Sequence, residues 1–374
     1  MAGKYQNKPQ RGKRWGTVLL IAVLVALLLV VALVAVYISI LMDQITYKPN
    51  EETLSSSELA EILKPTTEEN ISSSEVEETI KPNTEATTVD PTEDTAPVVQ
   101  VPEVTLATDP VVELSNKNVL TILLIGQDRR PGERIARSDT MILCTLNKET
   151  GVMTLTSLMR DMYLSIPGLT APNRINVSFA TGGMTRLKET IRQNFGVVVD
   201  GCVEVDFDRF QDLVELMGGV EIALNEAEAN YLNRVGASYG FSGQAWNLKA
   251  GYNLLTPEQT LAYARVRNVG NADFDRTERQ RKVIAAMFGK FKTLSVTQMS
   301  DLLMKGAGMV TTDMERSELL GCAFSVLPML KDLKMNTMRI PSDDGYYNAS
   351  VDGVGLVLVP DLEKAREQLA QLYR

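Results

Sequence analysis

Val119-Leu-Thr-Ile-Leu-Leu-Ile-Gly126 is a nearly unbroken apolar run that stops at glycine. A short apolar run bounded by turn signals is the mark of a strand buried on both faces. Thr140-Met-Ile-Leu-Cys-Thr-Leu146 repeats the pattern, and residues 153–157 make a third such run. Lys148-Glu-Thr-Gly151 between the last two reads as a hairpin turn. If the three strands form a meander, the end of the first, the start of the second and the end of the third lie at one edge of the sheet. Asp128, Arg137, Ser138, Asp139, Arg160 and Asp161 all fall at that edge.

Further along, helix and strand patterns alternate. Residues 184–195 read as a helix, 201–205 as a strand, and 206–217 as a helix closed by Gly218-Gly219. Thr256-Pro-Glu-Gln259 is a capping box with proline in the first turn, opening a helix through Arg265. Asp275 with Glu278 caps another helix that runs to about Phe291, with Val283, Met287 and Phe291 turned to the core. Residues 354–359 read as a strand and 362–373 as a closing helix. The expected class is α/β, a mixed central sheet with helices on both faces.

Upstream, no residue from Gly16 to Met42 is charged, and most are Val, Leu, Ile or Ala. About 20 apolar residues suffice to cross a bilayer. Lys4, Lys8, Arg11, Lys13 and Arg14 precede the run and Asp43 follows it, so the positive-inside rule leaves the N-terminus in the cytoplasm. The expected organisation is a basic cytoplasmic tail at 1–16, a transmembrane helix at 17–42, a linker at 43–118 and an extracytoplasmic domain at 119–374. The linker is rich in Glu, Thr, Ser and Pro and nearly empty of aromatics, a composition that predicts disorder. It reads as a tether holding the domain off the membrane.

The net charge of -9 belongs to that linker, because the domain is close to neutral. A near-neutral domain does not suit nucleic-acid backbones, and no nucleic-acid partner is expected. There is no histidine, which excludes a Ser-His-Asp or Cys-His nucleophile and any His-ligated zinc. A general base or metal ligand must be a carboxylate or another oxygen, which points to a hard cation such as magnesium. Cys144, Cys202 and Cys322 show no CxxC spacing; Cys144 and Cys202 sit in apolar, strand-like runs and read as buried thiols, with one disulfide outside the cytoplasm the alternative.

Asp128 and Asp139 at neighbouring strand ends can ligate one magnesium ion; the competing reading is loop aspartates paired with Arg129, Arg130 or Arg137. Arg160, Arg265, Arg267, Arg276, Arg279 and Gln280 supply forks suited to phosphate, or else surface ion pairs with Asp273, Asp275 and Glu278. Residues 276, 279 and 280 lie three or four apart at a helix start, where free N–H groups also favour anions.

Gly126-Gln-Asp-Arg-Arg130, Arg137-Ser-Asp-Thr140, Ser157-Leu-Met-Arg-Asp161, Arg174-Ile-Asn176, Ala262-Tyr-Ala-Arg-Val-Arg267 and Asp273-Phe-Asp-Arg-Thr-Glu-Arg-Gln280 together resemble the LytR-CpsA-Psr family. The resemblance covers about 119–290, and its six motifs come in the family's order. It implies a membrane-anchored phosphotransferase of the Gram-positive-type envelope. Such an enzyme moves a glycopolymer (teichoic acid, capsule or a related polysaccharide) from undecaprenyl pyrophosphate to the C6 hydroxyl of muramic acid in peptidoglycan.

Carried over by position, Asp128 and Asp139 match the family's magnesium-associated aspartates, with manganese the alternative ion. Arg137, Arg160, Arg265, Arg267, Arg276, Arg279 and Gln280 match the positions around the lipid pyrophosphate. Asp161 matches a partner in the arginine network. Asp128, Asp139, Arg160 and Asp161 are the expected catalytic set, with the base among the aspartates. Arg174 departs from the family's common lysine, and Asp275 from its common glycine. The prenyl chain is expected in an apolar groove near Ile191, Leu213, Val214 and Met217. Competing readings are a polyprenyl-pyrophosphate hydrolase, a non-catalytic wall-binding scaffold and a transcriptional attenuator. The last is disfavoured by a cytoplasmic tail too short for a helix-turn-helix.

Overall fold

The computed structural model describes residues 36–48, 62–63, 99–100, 111–127, 138–239 and 246–374. The chain divides into Met1–Ile45 and Thr46–Arg374. In the first unit residues 36–44 are helical. The rest of the 17–42 run and the tail at 1–16 lie outside the described residues. Among the described residues no helix is long and apolar enough to cross a membrane.

The second unit is built on a seven-stranded sheet in the order Thr46–Tyr47, Thr311–Thr312, Gly201–Asp206, Val119–Gln127, Ser138–Asn147, Val152–Leu158, Lys334–Ile340. The expected meander is its centre: Val119–Gln127 pairs antiparallel with Ser138–Asn147, which pairs antiparallel with Val152–Leu158. Gly201–Asp206 and Lys334–Ile340 flank it in parallel, so the sheet is mixed. Asn147 shapes the 148–151 turn by accepting hydrogen bonds from the Glu149 and Thr150 backbone.

The two faces of the sheet carry separate cores. Leu123, Ile125, Met141 and Leu143 pack with Phe179, Met184, Leu187 and Ile191 of the helix Ile175–Phe195 and with Leu362 and Leu369 of the closing helix. On the opposite face Leu120, Leu146, Cys144 and Met153 meet Phe288 and Phe291 of the helix Ala272–Thr293. Period-two alternation therefore feeds two layers from one strand, and helices lie on both faces as expected. A further core, around Val214, Val220, Ile222, Leu232, Tyr263 and Val283, joins Ala272–Thr293 to the helices Phe207–Leu216 and Pro257–Arg265 and the antiparallel strand pair Val220–Leu224 and Gly251–Leu255.

Several expectations need correction. The helix read as 184–195 is present, but it is the second of two helical pieces that meet at Gly182-Gly183, and the first, from Ile175, went unread. Gly183 takes φ 55°, ψ -145° there, a conformation that glycine adopts without a Cβ clash. Sequence reading stopped at the glycine pair because glycines normally break helices. The helix read as capped by Asp275 starts at Ala272, and Asp275 instead accepts a hydrogen bond from the Asn271 backbone at 3.0 Å.

The span read as a disordered linker through 118 is likewise corrected at three places. Thr46–Tyr47 pairs with Thr311–Thr312, Val99–Gln100 pairs with Tyr346–Val351, and Leu114 bridges Val197. Two-residue edge pairing is made by backbone groups, so side-chain hydrophobicity does not announce it. Within the span read as linker, residues 49–61, 64–98 and 101–110 lie outside the described ones.

Candidate active site

The meander delivers the side chains that its strand directions require. Asp139 opens the second strand, and Arg160 and Asp161 follow the third. Arg160 is the junction of an ion network. Its Nη1 donates to Asp139 Oδ1 at 2.7 Å, its Nη2 lies 3.2 Å from Asp273 Oδ2, and its Nε lies 3.4 Å from Asp161 Oδ2. Asp273 Oδ1 in turn meets Arg276 Nη1 at 2.9 Å and Arg267 Nε at 3.1 Å. Arg174 completes the chain, with Nε 3.6 Å from Asp161 Oδ1 and two donors on the Leu356 carbonyl. Four arginines thus share three aspartates.

The electrostatics show a site short of negative charge. Burial pushes Arg276 down to about 10, and repulsion from Arg160 adds to the fall. Arg267 is lowered by the same two causes in the same order. Arg276 Nε is buried with no hydrogen-bond partner among the described residues. Burial by itself would raise Asp139, but attraction to Arg160, Arg276 and Arg267 outweighs it and holds the carboxyl below its usual range. Asp273 is lowered in the same way, with Arg276 its strongest attractor. A carboxylate this firmly ionised is a poor proton acceptor near neutral pH and a good ligand for a cation.

The other expected residues divide. Arg265 stacks over the Phe207 ring at 4.8 Å. Phe207 follows Asp206, the Cα partner of Gln127, so Arg265 flanks the same sheet edge. Gln280 is half-buried on the arginine helix. Arg279 is not part of the cluster. It donates to Glu228 Oε1 at 2.8 Å and to the carbonyls of Val266 and Val269 at 3.1 and 2.7 Å. Asp128 and Arg137 lie outside the described residues. No group of three or more Asp, Glu or Cys that could hold a metal occurs among the described residues.

The expected prenyl lining does not form one groove. Ile191 and Val214 are both fully buried, and they belong to different cores. The three cysteines are free, and burial pushes Cys144 up to about 12.

Glu228 was missed, and Asp273 was read only as a surface ion-pair partner. Asp273 stood inside a quoted motif, but sequence cannot show that one carboxylate serves three arginines.

The LytR_cpsA_psr family model matches residues 68–371. The chain belongs to the LytR-CpsA-Psr family. A polyisoprenyl-teichoic acid–peptidoglycan teichoic acid transferase, TagU of Enterococcus faecalis, is 29% identical over 261 residues, covering 69% of this chain and 80% of that one. A solved structure described as TagT bound to LI-WTA is 25% identical with a TM-score of 0.55, covering 68% of this chain and 90% of that one. A LytR-CPS2A-psr family protein, YwtF (TagT), with bound octaprenyl pyrophosphate lipid is 22% identical with a TM-score of 0.52, covering 69% and 91%. The last likeness bears on the fold alone. The matched span begins inside the segment read as linker, in keeping with the pairing of Val99–Gln100 to the domain.

Proposed function

We propose that this enzyme transfers a glycopolymer from a polyprenyl pyrophosphate to a peptidoglycan hydroxyl at the Arg160–Asp273 cluster. The observation that carries the reading is the cluster's imbalance: arginines sharing too few carboxylates, one of them buried with an unmatched Nε, at the edge where three strands end. A diphosphate supplies the missing charge, and arginine forks suit its oxygens. The transferase names of the relatives agree with this chemistry.

Arg160, Arg267 and Arg276 would bind the diphosphate and stabilise charge on the leaving prenyl phosphate, the electrostatic contribution that dominates phosphoryl transfer. The acceptor hydroxyl attacks the phosphorus bearing the glycan. One O–P bond forms, the bridging O–P bond to the prenyl phosphate breaks, and the hydroxyl proton passes to a carboxylate. Asp139 is held ionised by its arginines, which suits it better to a cation than to that proton, and leaves Asp161 or Asp128 as the base. Magnesium, or manganese in its place, would sit on Asp139 with Asp128 and phosphate oxygens. One or two carboxylates are the usual complement for that ion, and it would add positive charge at the phosphoryl oxygens. The uncharged run at 17–42 with its basic flank supports an anchor in the bilayer with the domain outside.

The test uses the full chain in detergent micelles with a prenyl-diphosphate glycan and peptidoglycan fragments. Asp139→Ala is expected to abolish labelling of peptidoglycan while keeping a cooperative unfolding transition, at a somewhat lower Tm because Arg160 loses its 2.7 Å partner. Labelling at the wild-type rate by that variant overturns the site. Release of phosphate with water and no labelling by the wild type replaces the transferase with a hydrolase.

A further inference from the structure

A second pair of arginines lies outside the cluster. Arg281 is on the arginine helix and only 7% exposed. Its Nη1 donates to Ser157 Oγ at 2.7 Å, and its Nε is buried with no hydrogen-bond partner among the described residues. Glu278, the carboxylate that bears on it electrostatically, is paired with Lys282 at 2.7 Å. A buried guanidinium whose direct partner is a neutral hydroxyl is costly to keep. Burial lowers Arg281 to about 10, and repulsion from Arg339 contributes.

Arg339 is the Cα partner of Ser157 on the neighbouring strand, so both side chains leave the same face of the sheet, toward the arginine helix. Its guanidinium lies over the Phe274 ring at 4.3 Å, its Nε donates to the Pro341 carbonyl at 2.9 Å, and it pairs with Asp343. Asp343 is almost wholly exposed (97%), and an exposed pair contributes little. Two arginines thus stand beside Ser157, one of them buried, with a single carboxylate that water can replace. Phe274 keeps the Arg339 plane fixed, with Tyr346 beside it at 5.6 Å between ring centroids.

We propose that Arg281 and Arg339 form a second anion subsite that takes a phosphodiester of the transferred polymer. The inference rests on the transferase reading above and deepens it. Ser157 precedes Arg160 by three residues, so the subsite stands about 10 Å from the cluster along an extended chain. A donor with phosphodiesters in its backbone would reach both places at once, and an uncharged polysaccharide would use only the first. The subsite therefore selects among polymers.

Two substitutions test it, one at Arg339, whose side chain is 15% exposed, and one at the exposed Asp343. In the full-length protein, Arg339→Gln is expected to raise KM about tenfold for a prenyl-diphosphate donor carrying phosphodiesters, with kcat nearly unchanged, as for loss of one charge-assisted contact. KM for a donor with an uncharged glycan should stay put. Asp343→Asn should lower KM for the phosphodiester donor, because it removes the competing carboxylate. Calorimetric titration with glycerophosphoglycerol should give binding that Arg339→Gln abolishes. Equal effects of Arg339→Gln on both donors, or none on either, overturn the subsite. Octaprenyl pyrophosphate binding is the separate arm: its survival in Arg267→Gln would sink the cluster reading, whatever Arg339→Gln does.

Discussion

Arg276 and Arg279 stand one turn apart on the same helix, equally buried at 4% side-chain exposure, and they do opposite things. Arg279 is fully answered from within the fold, by Glu228, itself 5% exposed, and by two backbone carbonyls of the segment that leads into the helix. Arg276 shares one carboxylate oxygen with Arg267 and keeps a buried Nε without a partner. The first is a brace, and the second is held ready for an anion. What separates them is the count of acceptors, not the residue type or its burial.

The largest expected effect breaks the brace. Arg279→Ala leaves Glu228 buried without a counter-charge, a loss that costs about 3–5 kcal/mol of stability. Urea denaturation of the isolated second unit, or of the full chain in micelles, reads it directly. A loss below about 1 kcal/mol would mean that Glu228 finds water or another donor, and the contrast with Arg276 would collapse.

Next in size is the converse. Arg276→Gln should leave the urea midpoint nearly where it was and slow transfer by about 100-fold, the usual consequence of removing one aimed donor from a developing charge. Because the wild-type cluster already carries excess positive charge, this substitution is expected to be neutral or mildly stabilising in the absence of diphosphate. A variant that unfolds readily but turns over normally would exchange the roles of the two arginines.

This comparison also marks where the sequence was legible. The meander and the convergence of Asp139, Arg160 and Asp161 followed from apolar runs and strand directions, which side-chain chemistry displays openly. Arg279 was grouped with Arg276 because residues three apart share a helix face. Three residues turn the helix by about 300°, however, and the remaining 60° is enough to send one fork to Asp273 and the other to Glu228. The strand Lys334–Ile340, Lys-Met-Asn-Thr-Met-Arg-Ile, went unread because it has no apolar run. It is an edge strand of the sheet, with much of its length exposed. Thr46–Tyr47 and Thr311–Thr312 are too short for any periodicity, and their place comes from backbone pairing.

The smallest expected effect concerns acid. Asp273 and Asp139 both have carboxyls held below the usual carboxylate range, in each case because neighbouring arginines outweigh the burial that would raise them. A carboxylate whose folded pKa is depressed stabilises the fold fully above its unfolded pKa, near 4, and loses that contribution as pH falls through the lower folded value. The wild type should therefore lose stability below about pH 4 more steeply than Asp273→Asn, which has no such proton to take up. Above pH 5 the variant should be the less stable of the two, because Arg160, Arg267 and Arg276 lose the carboxylate they share. Parallel acid limbs for the wild type and Asp273→Asn would show that the arginines do not hold Asp273 ionised. The balance of four arginines on three aspartates would then have to be redrawn.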